Sequence, residues 1–125
     1  MPIASSLLNK PRLVEKLRDF YSYVQKNDGK VGIKTRGIDL NFNNACNLRC
    51  KYCFTNSPKG DHVKEYLDLS AIKNLADEAD QLGYFEFDLQ GGELLLQPEK
   101  LFSILEVIRP ERFYLYVTTN GFYLD

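Results

Sequence analysis

Three cysteines lie within eight residues of the chain, at positions Cys46, Cys50 and Cys53, and the chain contains no others. An iron–sulfur cluster that only transfers electrons is normally held by four cysteine thiolates. Three thiolates hold a four-iron cluster and leave its fourth iron open, and an open iron binds and activates a small molecule. The number of cysteines therefore predicts a reaction site rather than an electron relay.

Zinc is the alternative metal for this loop. A structural zinc site takes four tetrahedral ligands, and His62, the one histidine of the chain, follows Cys53 closely enough to be the fourth. An exposed linker position is the other interpretation of His62. Arg49 and Lys51 either offset the negative charge of a thiolate-ligated cluster or belong to a solvated loop. Unrelated buried thiols would not explain why every cysteine lies in one loop.

The composition is that of one ordinary globular domain. The 125 residues are 44% hydrophobic and 26% charged, with a net charge of −1, which gives no argument for nucleic acid or a membrane surface. An odd number of crowded cysteines opposes a disulfide framework and favours a reducing compartment. The chain has no signal-like start and no apolar run approaching the ~20 residues that span a bilayer. We therefore expect a cytoplasmic protein.

Apolar periodicity and turn residues predict three helices and three strands. The helices are expected over 11–26, 71–82 and from Pro98 to before Pro110, and the strands over 38–42, 84–89 and 113–117. Ser70 is expected to cap the second helix. A further short strand is expected over 31–35, where Gly37 would break it.

Polar motifs follow each of the three main strands. They are the cysteine loop, the turn Gln90-Gly91-Gly92-Glu93 and the turn Thr118-Thr119-Asn120-Gly121. Strands joined by helices form βαβ units with a parallel sheet, and the carboxyl ends of parallel strands form one rim where sites are built. We therefore expect the three motifs to face a shared site.

The run Cys46-Asn47-Leu48-Arg49-Cys50-Lys51-Tyr52-Cys53 resembles the cluster motif of the radical S-adenosylmethionine (radical SAM) enzymes. Three and then two residues separate the cysteines, an aromatic residue precedes the last one, and the other two motifs follow in the family's order. The resemblance covers roughly residues 38–125. It implies an α/β fold of parallel βαβ repeats, forming the first half of a partial (β/α)6 TIM-like barrel. Residues 1–36 would be an N-terminal extension of a helix and a short strand, and residues 37–125 the N-terminal portion of the radical SAM core.

The resemblance also implies two cofactors and a reaction. Cys46, Cys50 and Cys53 would hold three irons of a [4Fe–4S] cluster, and S-adenosylmethionine would chelate the fourth iron. One electron from the cluster would cleave S-adenosylmethionine to methionine and a 5′-deoxyadenosyl radical, which abstracts hydrogen from a substrate. The electron donor would be a protein such as flavodoxin or ferredoxin. The substrate would be a peptide, another natural-product precursor or a small molecule.

The residues of the second motif resemble the family's methionine-binding turn. Gly91 and Gly92 would let the backbone approach the ligand, and the carboxylate of Glu93 would pair with the methionine ammonium group. Many members of the family have proline at the next position, where this chain has Leu94. This difference changes the stiffness of the turn and leaves the role of the carboxylate intact.

Two further residues are candidates for cofactor binding. Tyr52 resembles the aromatic position beside the adenine, and packing against its own loop is the alternative. Asn120 either lines the cofactor pocket or caps a following helix. No catalytic side chain is expected beyond the cluster.

The three predicted strands are fewer than the six or so of the family's typical barrel. Residues 1–125 alone are therefore expected not to complete catalysis. The alternative function is a non-catalytic module, in which zinc or a passive iron–sulfur cluster stabilises a small α/β domain. The Gly-Gly-Glu turn favours the enzyme, because a structural metal site needs no such turn on the same rim.

Overall fold

A computed structural model describes residues 9–55 and 68–124. The elements in chain order are helix α1 (Pro11–Lys26), strand β1 (Gly37–Asn41), helix α2 (Leu69–Gln81), strand β2 (Glu86–Gln90), helix α3 (Pro98–Ile108) and strand β3 (Tyr114–Val117). Single turns of 3₁₀ helix, Leu94–Leu96 and Pro110–Arg112, precede α3 and β3. None of the helices in the described residues is long and apolar enough to cross a bilayer.

The three strands form one parallel sheet in the order β1–β2–β3, which confirms the predicted α/β fold with parallel strands. Leu40 pairs with Leu89, and Phe87 pairs with Leu115, so these side chains project from one face of the sheet. That face packs against α2 and α3 to form the main core. The helical side chains buried in this core are Ile72, Ala76, Ala79, Leu101, Ile104 and Ile108.

The opposite face of the sheet is polar. Asp39 of β1 pairs with Asp88 of β2, which pairs in turn with Tyr116 of β3. These three side chains are exposed or half-buried. The alternation along each strand therefore separates an apolar face under the helices from a polar face on the other side.

No strand forms over 31–35, so this part of the prediction is wrong. Gly32 adopts a positive φ of +61°, and the amide of Lys34 donates to the carbonyl oxygen of Val31 at 3.2 Å. These features turn the chain, and the side chain of Ile33 is 95% exposed. The weak alternation in this segment has no neighbouring strand to pair with, and local pattern alone does not make a strand.

Two predicted boundaries also need correction. Gly37 does not break a strand but begins β1, where it pairs with Glu86 and where a Cβ would overlap the Glu86 carbonyl group. Ser70 does not cap α2, because the helix begins at Leu69 and Asp68 occupies the cap position. Aspartate and serine share the preference for that position, and here the serine hydroxyl donates to the Asp68 carboxylate.

Helix α1 is held to the rest of the fold by a buried ion pair. Lys16 is only 2% exposed, and its Nζ lies 2.9 Å from Oδ1 of Asp80 on α2. The same Nζ lies 3.9 Å from the ring centroid of Phe113, and Nε of Arg12 lies 3.0 Å from the same Asp80 oxygen. The lysine is therefore paired both with a carboxylate and with an aromatic face, as a buried charge requires.

Two carboxylates of α2 predict sensitivity to acid. Hydrogen bonds from Lys73 and Arg112 lower the pKa of Asp77. Burial alone would raise the pKa of Asp80, but the hydrogen bond and the charge of Lys16, together with a second cation, outweigh it and lower that pKa. Both pKa values lie below those of the unfolded chain, so the associated stability is present above about pH 4 and is lost as the pH falls through the folded-state values.

We therefore expect the urea midpoint of the wild type to fall between about pH 6 and about pH 3. A variant with Asp77→Asn and Asp80→Asn should start from a lower midpoint and lose less of it over the same range. An equal fall in the variant would show that other carboxylates control the acid response.

Candidate functional site

The loops that follow β1, β2 and β3 meet at one end of the sheet, as the sequence predicts. The amide of Glu93, after β2, donates to the carbonyl oxygen of Ala45, after β1, at 2.7 Å. The side chain of Asn120, after β3, donates through Nδ2 to Oδ1 of Asn47 at 2.9 Å. The cysteine loop is thus hydrogen bonded to both of the other motifs.

The cysteine loop presents three thiols at or near the surface. Cys50 is exposed, whereas Cys46 and Cys53 are half-buried. The amide of Cys53 donates to the carbonyl oxygen of Cys50 at 3.3 Å, which closes a turn, and the amide of Leu48 donates to Sγ of Cys46 at 3.4 Å. Sγ of Cys53 lies 3.1 Å from the Thr55 hydroxyl. Three accessible thiols on one loop have the donor chemistry of an iron–sulfur site.

The thiols are not drawn together into a finished ligand set. Among residues 9–55 and 68–124, no three Cys, His, Asp or Glu side chains lie close enough to hold a metal ion. His62, the fourth ligand in the zinc alternative, lies outside the described residues. Arg49 and Lys51 are exposed on the same loop, where their charge can offset that of bound thiolates.

Gly91 and Gly92 pass directly under the start of the cysteine loop. The amide of Gly92 donates to the carbonyl oxygen of Asn43 at 2.9 Å. A Cβ at Gly91 would lie 2.7 Å from that oxygen, and a Cβ at Gly92 would overlap the carbonyl group of Ala45. The close approach of two backbone segments therefore requires both glycines, independently of the predicted contact with a ligand.

Gly92→Ala is expected to push the two loops apart. The added methyl group has no room against Ala45, and such overpacking typically costs about 1–3 kcal/mol of folding free energy. The amide of Glu93, which is bonded to Ala45, should then exchange its hydrogen faster.

Gly83→Ala is the control for this substitution. Gly83 has a φ of +80°, and no atom lies within 4 Å of the place that an alanine methyl group would take. Alanine there costs only the backbone strain of about 1–2 kcal/mol. Exchange of the Glu93 amide should be unchanged in this control. Unchanged exchange in Gly92→Ala as well would contradict the close approach of the two loops.

The carboxylate of Glu93 is completely buried and accepts three hydrogen bonds. Oε1 accepts from the amide of Leu95 at 2.8 Å and from the hydroxyl of Thr119 at 2.7 Å, and Oε2 accepts from the amide of Asn120 at 2.8 Å. Glu93 therefore ties the turn after β2 to the loop after β3. The contact with a methionine ammonium group remains a prediction.

Tyr52 and Asn120 are both exposed. Tyr52 is 97% exposed, so its ring does not pack against its own loop, and its predicted place beside an adenine stays a prediction. Oδ1 of Asn120 accepts from the amide of Phe122 at 2.9 Å, which makes a local turn. No helix begins within residues 121–124, so Asn120 caps no helix in the described part of the chain.

Sequence reasoning missed two asparagines of the site. Asn47 carries the bond from Asn120, and Asn43 is 4% exposed beside Gly92. Nδ2 of Asn43 has no hydrogen-bond partner among the described residues, and an unpaired buried donor costs about 1–3 kcal/mol. Its position beside the glycine turn fits a site that receives a polar group. The signals in the sequence are that Asn43 begins an asparagine pair just after the first strand and that Asn47 lies between two of the cysteines.

The sequence profile of the Radical SAM superfamily matches residues 40–125. The chain belongs to the radical SAM superfamily. The match begins within β1 and includes all three motifs that meet at the rim. Members of this superfamily use a [4Fe–4S] cluster and S-adenosylmethionine.

Several curated enzymes are similar to this radical SAM chain. An S-adenosylmethionine-dependent nucleotide dehydratase from Fibrobacter sp. (strain UWH6) is 29% identical over 103 residues, which cover 76% of this chain and 30% of that protein. A probable GTP 3′,8-cyclase from Methanocaldococcus jannaschii is 30% identical over 97 residues, with 77% and 32% covered. A putative glycyl-radical enzyme activating enzyme from the same organism is 32% identical over 79 residues, with 63% and 29% covered. The chain thus spans about a third of the length of these relatives. No solved structure matches it.

Proposed function

We propose that the protein is a radical SAM enzyme in which Cys46, Cys50 and Cys53 hold a [4Fe–4S] cluster. The observation that carries the proposal is the hydrogen bonding of the cysteine loop to both other motifs at one rim, through Ala45 and Asn47. Bound cluster and S-adenosylmethionine would supply a 5′-deoxyadenosyl radical that abstracts hydrogen from a substrate. The protein itself would bind and orient the cofactor and the substrate, and it would exclude water from the site.

The described residues have distinct tasks under this proposal. The three thiols ligate three irons, and the turn at Gly91 and Gly92 keeps the methionine end of the cofactor close to the cysteine loop. Glu93 fixes that turn to the loop after β3 through the hydrogen bonds that it accepts from Thr119 and Asn120, and its charge favours an ammonium group nearby. The exposed ring of Tyr52 offers an aromatic surface for the adenine.

We propose that β1, β2 and β3 are the first strands of a partial (β/α)6 barrel. The parallel order and the helices on one face of the sheet support this arrangement. The polar face that carries Asp39, Asp88 and Tyr116 would then line the interior of the barrel. A polar lining suits a substrate that makes hydrogen bonds.

The relatives favour a nucleotide as the substrate. Those that cover 76% and 77% of the chain are a nucleotide dehydratase and a probable GTP cyclase. A peptide or another natural-product precursor is the second candidate. The similarity to a glycyl-radical enzyme activating enzyme supports it, because the name of that relative gives it a protein partner.

A reduced flavodoxin or ferredoxin is the proposed electron donor, in a reducing cytoplasm. Cys50, Arg49 and Lys51 are exposed side by side on the cysteine loop. Two cations beside a cluster ligand would attract a donor with an acidic surface and increase its rate of association.

A non-catalytic zinc or iron–sulfur module is the alternative function. It would explain the cysteines, because Cys46, Cys50, Cys53 and His62 together supply the four ligands that a structural zinc site takes. It would leave the bonds from the Gly-Gly-Glu turn to the cysteine loop without a purpose. The enzyme accounts for both features.

Electron paramagnetic resonance tests the proposal. The chain is reconstituted with iron and sulfide without oxygen, reduced with dithionite and measured with and without S-adenosylmethionine. We expect a [4Fe–4S]⁺ signal that changes when S-adenosylmethionine is added, because the cofactor then occupies the open iron. An unresponsive cluster in this chain and in a longer one would support the passive module. Tightly held zinc without a cluster would overturn the proposal.

A further inference from the structure

The bond between Asn120 and Asn47 has a fixed direction. Oδ1 of Asn120 accepts from the amide of Phe122 at 2.9 Å, so the NH₂ group of Asn120 must point the other way. That group donates to Oδ1 of Asn47 at 2.9 Å. A residue of the loop after β3 therefore holds a residue of the cysteine loop by a directed hydrogen bond, the Asn120–Asn47 bridge.

The bridge is attached to the buried part of the protein. The amide of Asn120 donates to Oε2 of Glu93 at 2.8 Å, and Glu93 is fully buried. On the other side of the bridge, Asn47 and Cys50 of the cysteine loop are both exposed. The bridge thus connects an exposed loop to a fixed point in the fold.

Asn47 lies directly beside the first cysteine. Its Oδ1 is 4.0 Å from Sγ of Cys46, and the amide of the following residue, Leu48, donates to the same sulfur at 3.4 Å. Both contacts depend on the backbone conformation at residues 46–48. Hydrogen bonds to ligand sulfurs are among the factors that set the reduction potential of an iron–sulfur cluster.

We propose that Asn120 and Asn47 are positioning residues that keep the Leu48 amide directed at the Cys46 sulfur, and thereby raise the reduction potential and slow the loss of the cluster. This inference rests on the proposed function, because it concerns the cluster that Cys46 would ligate. An N–H group directed at the sulfur stabilises the added electron of the reduced cluster. Substituting a residue that hydrogen-bonds to a metal ligand typically lowers metal affinity by about 10–100-fold.

A double-mutant cycle tests the bridge. Asn120→Ser retains an oxygen for the Phe122 amide but is too short to reach Asn47, and Asn47→Ala removes the acceptor. Each single variant should shift the cluster midpoint to a more negative potential and release iron to a chelator about tenfold faster. The double variant should match either single variant, because the bridge can be broken only once. Asn74→Ser, on helix α2 away from the rim, is the matched control and should behave as the wild type.

The outcomes separate this inference from the proposed function. A wild type that binds no cluster would overturn both. Variants with wild-type potential and iron release would overturn the bridge alone. Additive effects in the double variant would also overturn it, since Asn120 and Asn47 would then act independently. Both bridge positions lie outside the buried core, so the variants are expected to fold, and urea unfolding of the cluster-free proteins checks this.

Discussion

Replacing any one of Cys46, Cys50 and Cys53 by alanine is expected to abolish the stable cluster. Each variant would retain two thiolates, and the chain contains no fourth cysteine to replace the third. We expect iron and sulfide content after reconstitution to fall at least about tenfold below the wild type. Losing a ligand should lower metal affinity by more than losing a residue that hydrogen-bonds to a ligand, which already costs about 10–100-fold. Iron and sulfide assays together with electron paramagnetic resonance measure the loss.

The control for these variants is Lys51→Gln, an exposed change between two of the cysteines. It should retain the cluster. In the absence of iron, Cys50→Ala should unfold within about 0.5 kcal/mol of the wild type, as surface substitutions do, and the half-buried Cys46→Ala and Cys53→Ala within about 1 kcal/mol. A full cluster in any alanine variant would contradict the assigned ligands. If the alanine variants lose as much unfolding free energy without iron as with it, the thiols only support the fold.

The helix boundaries show how much local sequence determines. Helix α1 runs over Pro11–Lys26 as predicted, and α3 begins at Pro98. Arg109, in a left-handed conformation with a φ of +61°, follows the last residue of α3, and Pro110 prevents the helix from continuing. Proline fixes the starts of α1 and α3 and the end of α3 through the backbone itself, without help from the rest of the fold.

The shared rim was predictable for a different reason. Parallel strands connected by helices bring their carboxyl ends together whatever the loops contain. The bonds from Glu93 to Ala45 and from Asn120 to Asn47 confirm this consequence of topology. Which atoms would meet at the rim did not follow from topology.

The residues that sequence reasoning misjudged or left unassigned depend on distant partners. Lys16, to which the sequence pattern gave no assignment, is buried because Asp80, 64 residues away, pairs with it. Gly37 looks like a strand breaker, but it belongs to β1 because the Glu86 backbone passes beside it. Local patterns contain no information about such partners, so the structure was needed to find them.

Glu93→Ala is expected to destabilise the protein strongly, even without any cofactor. The substitution removes the acceptor from three donors at once, namely the amides of Leu95 and Asn120 and the hydroxyl of Thr119. At about 1 kcal/mol or more for each hydrogen bond lost, we expect a loss of at least about 3 kcal/mol of unfolding free energy. Urea denaturation of the cluster-free protein measures this loss.

Glu93→Gln distinguishes the hydrogen bonds from the volume of the side chain. Glutamine fills the same space, but its NH₂ group must face either Asn120 or Leu95, and both present amide N–H groups that cannot accept. We expect a loss of about 1–3 kcal/mol, smaller than for alanine. The matched control is Glu106→Gln on the exposed side of α3, which should change stability by less than about 0.5 kcal/mol. If Glu93→Gln is as stable as this control, the carboxylate does not join the two loops. If it is destabilised as expected, any further loss of S-adenosylmethionine affinity at equal folded fraction measures the separate contact with the methionine ammonium group.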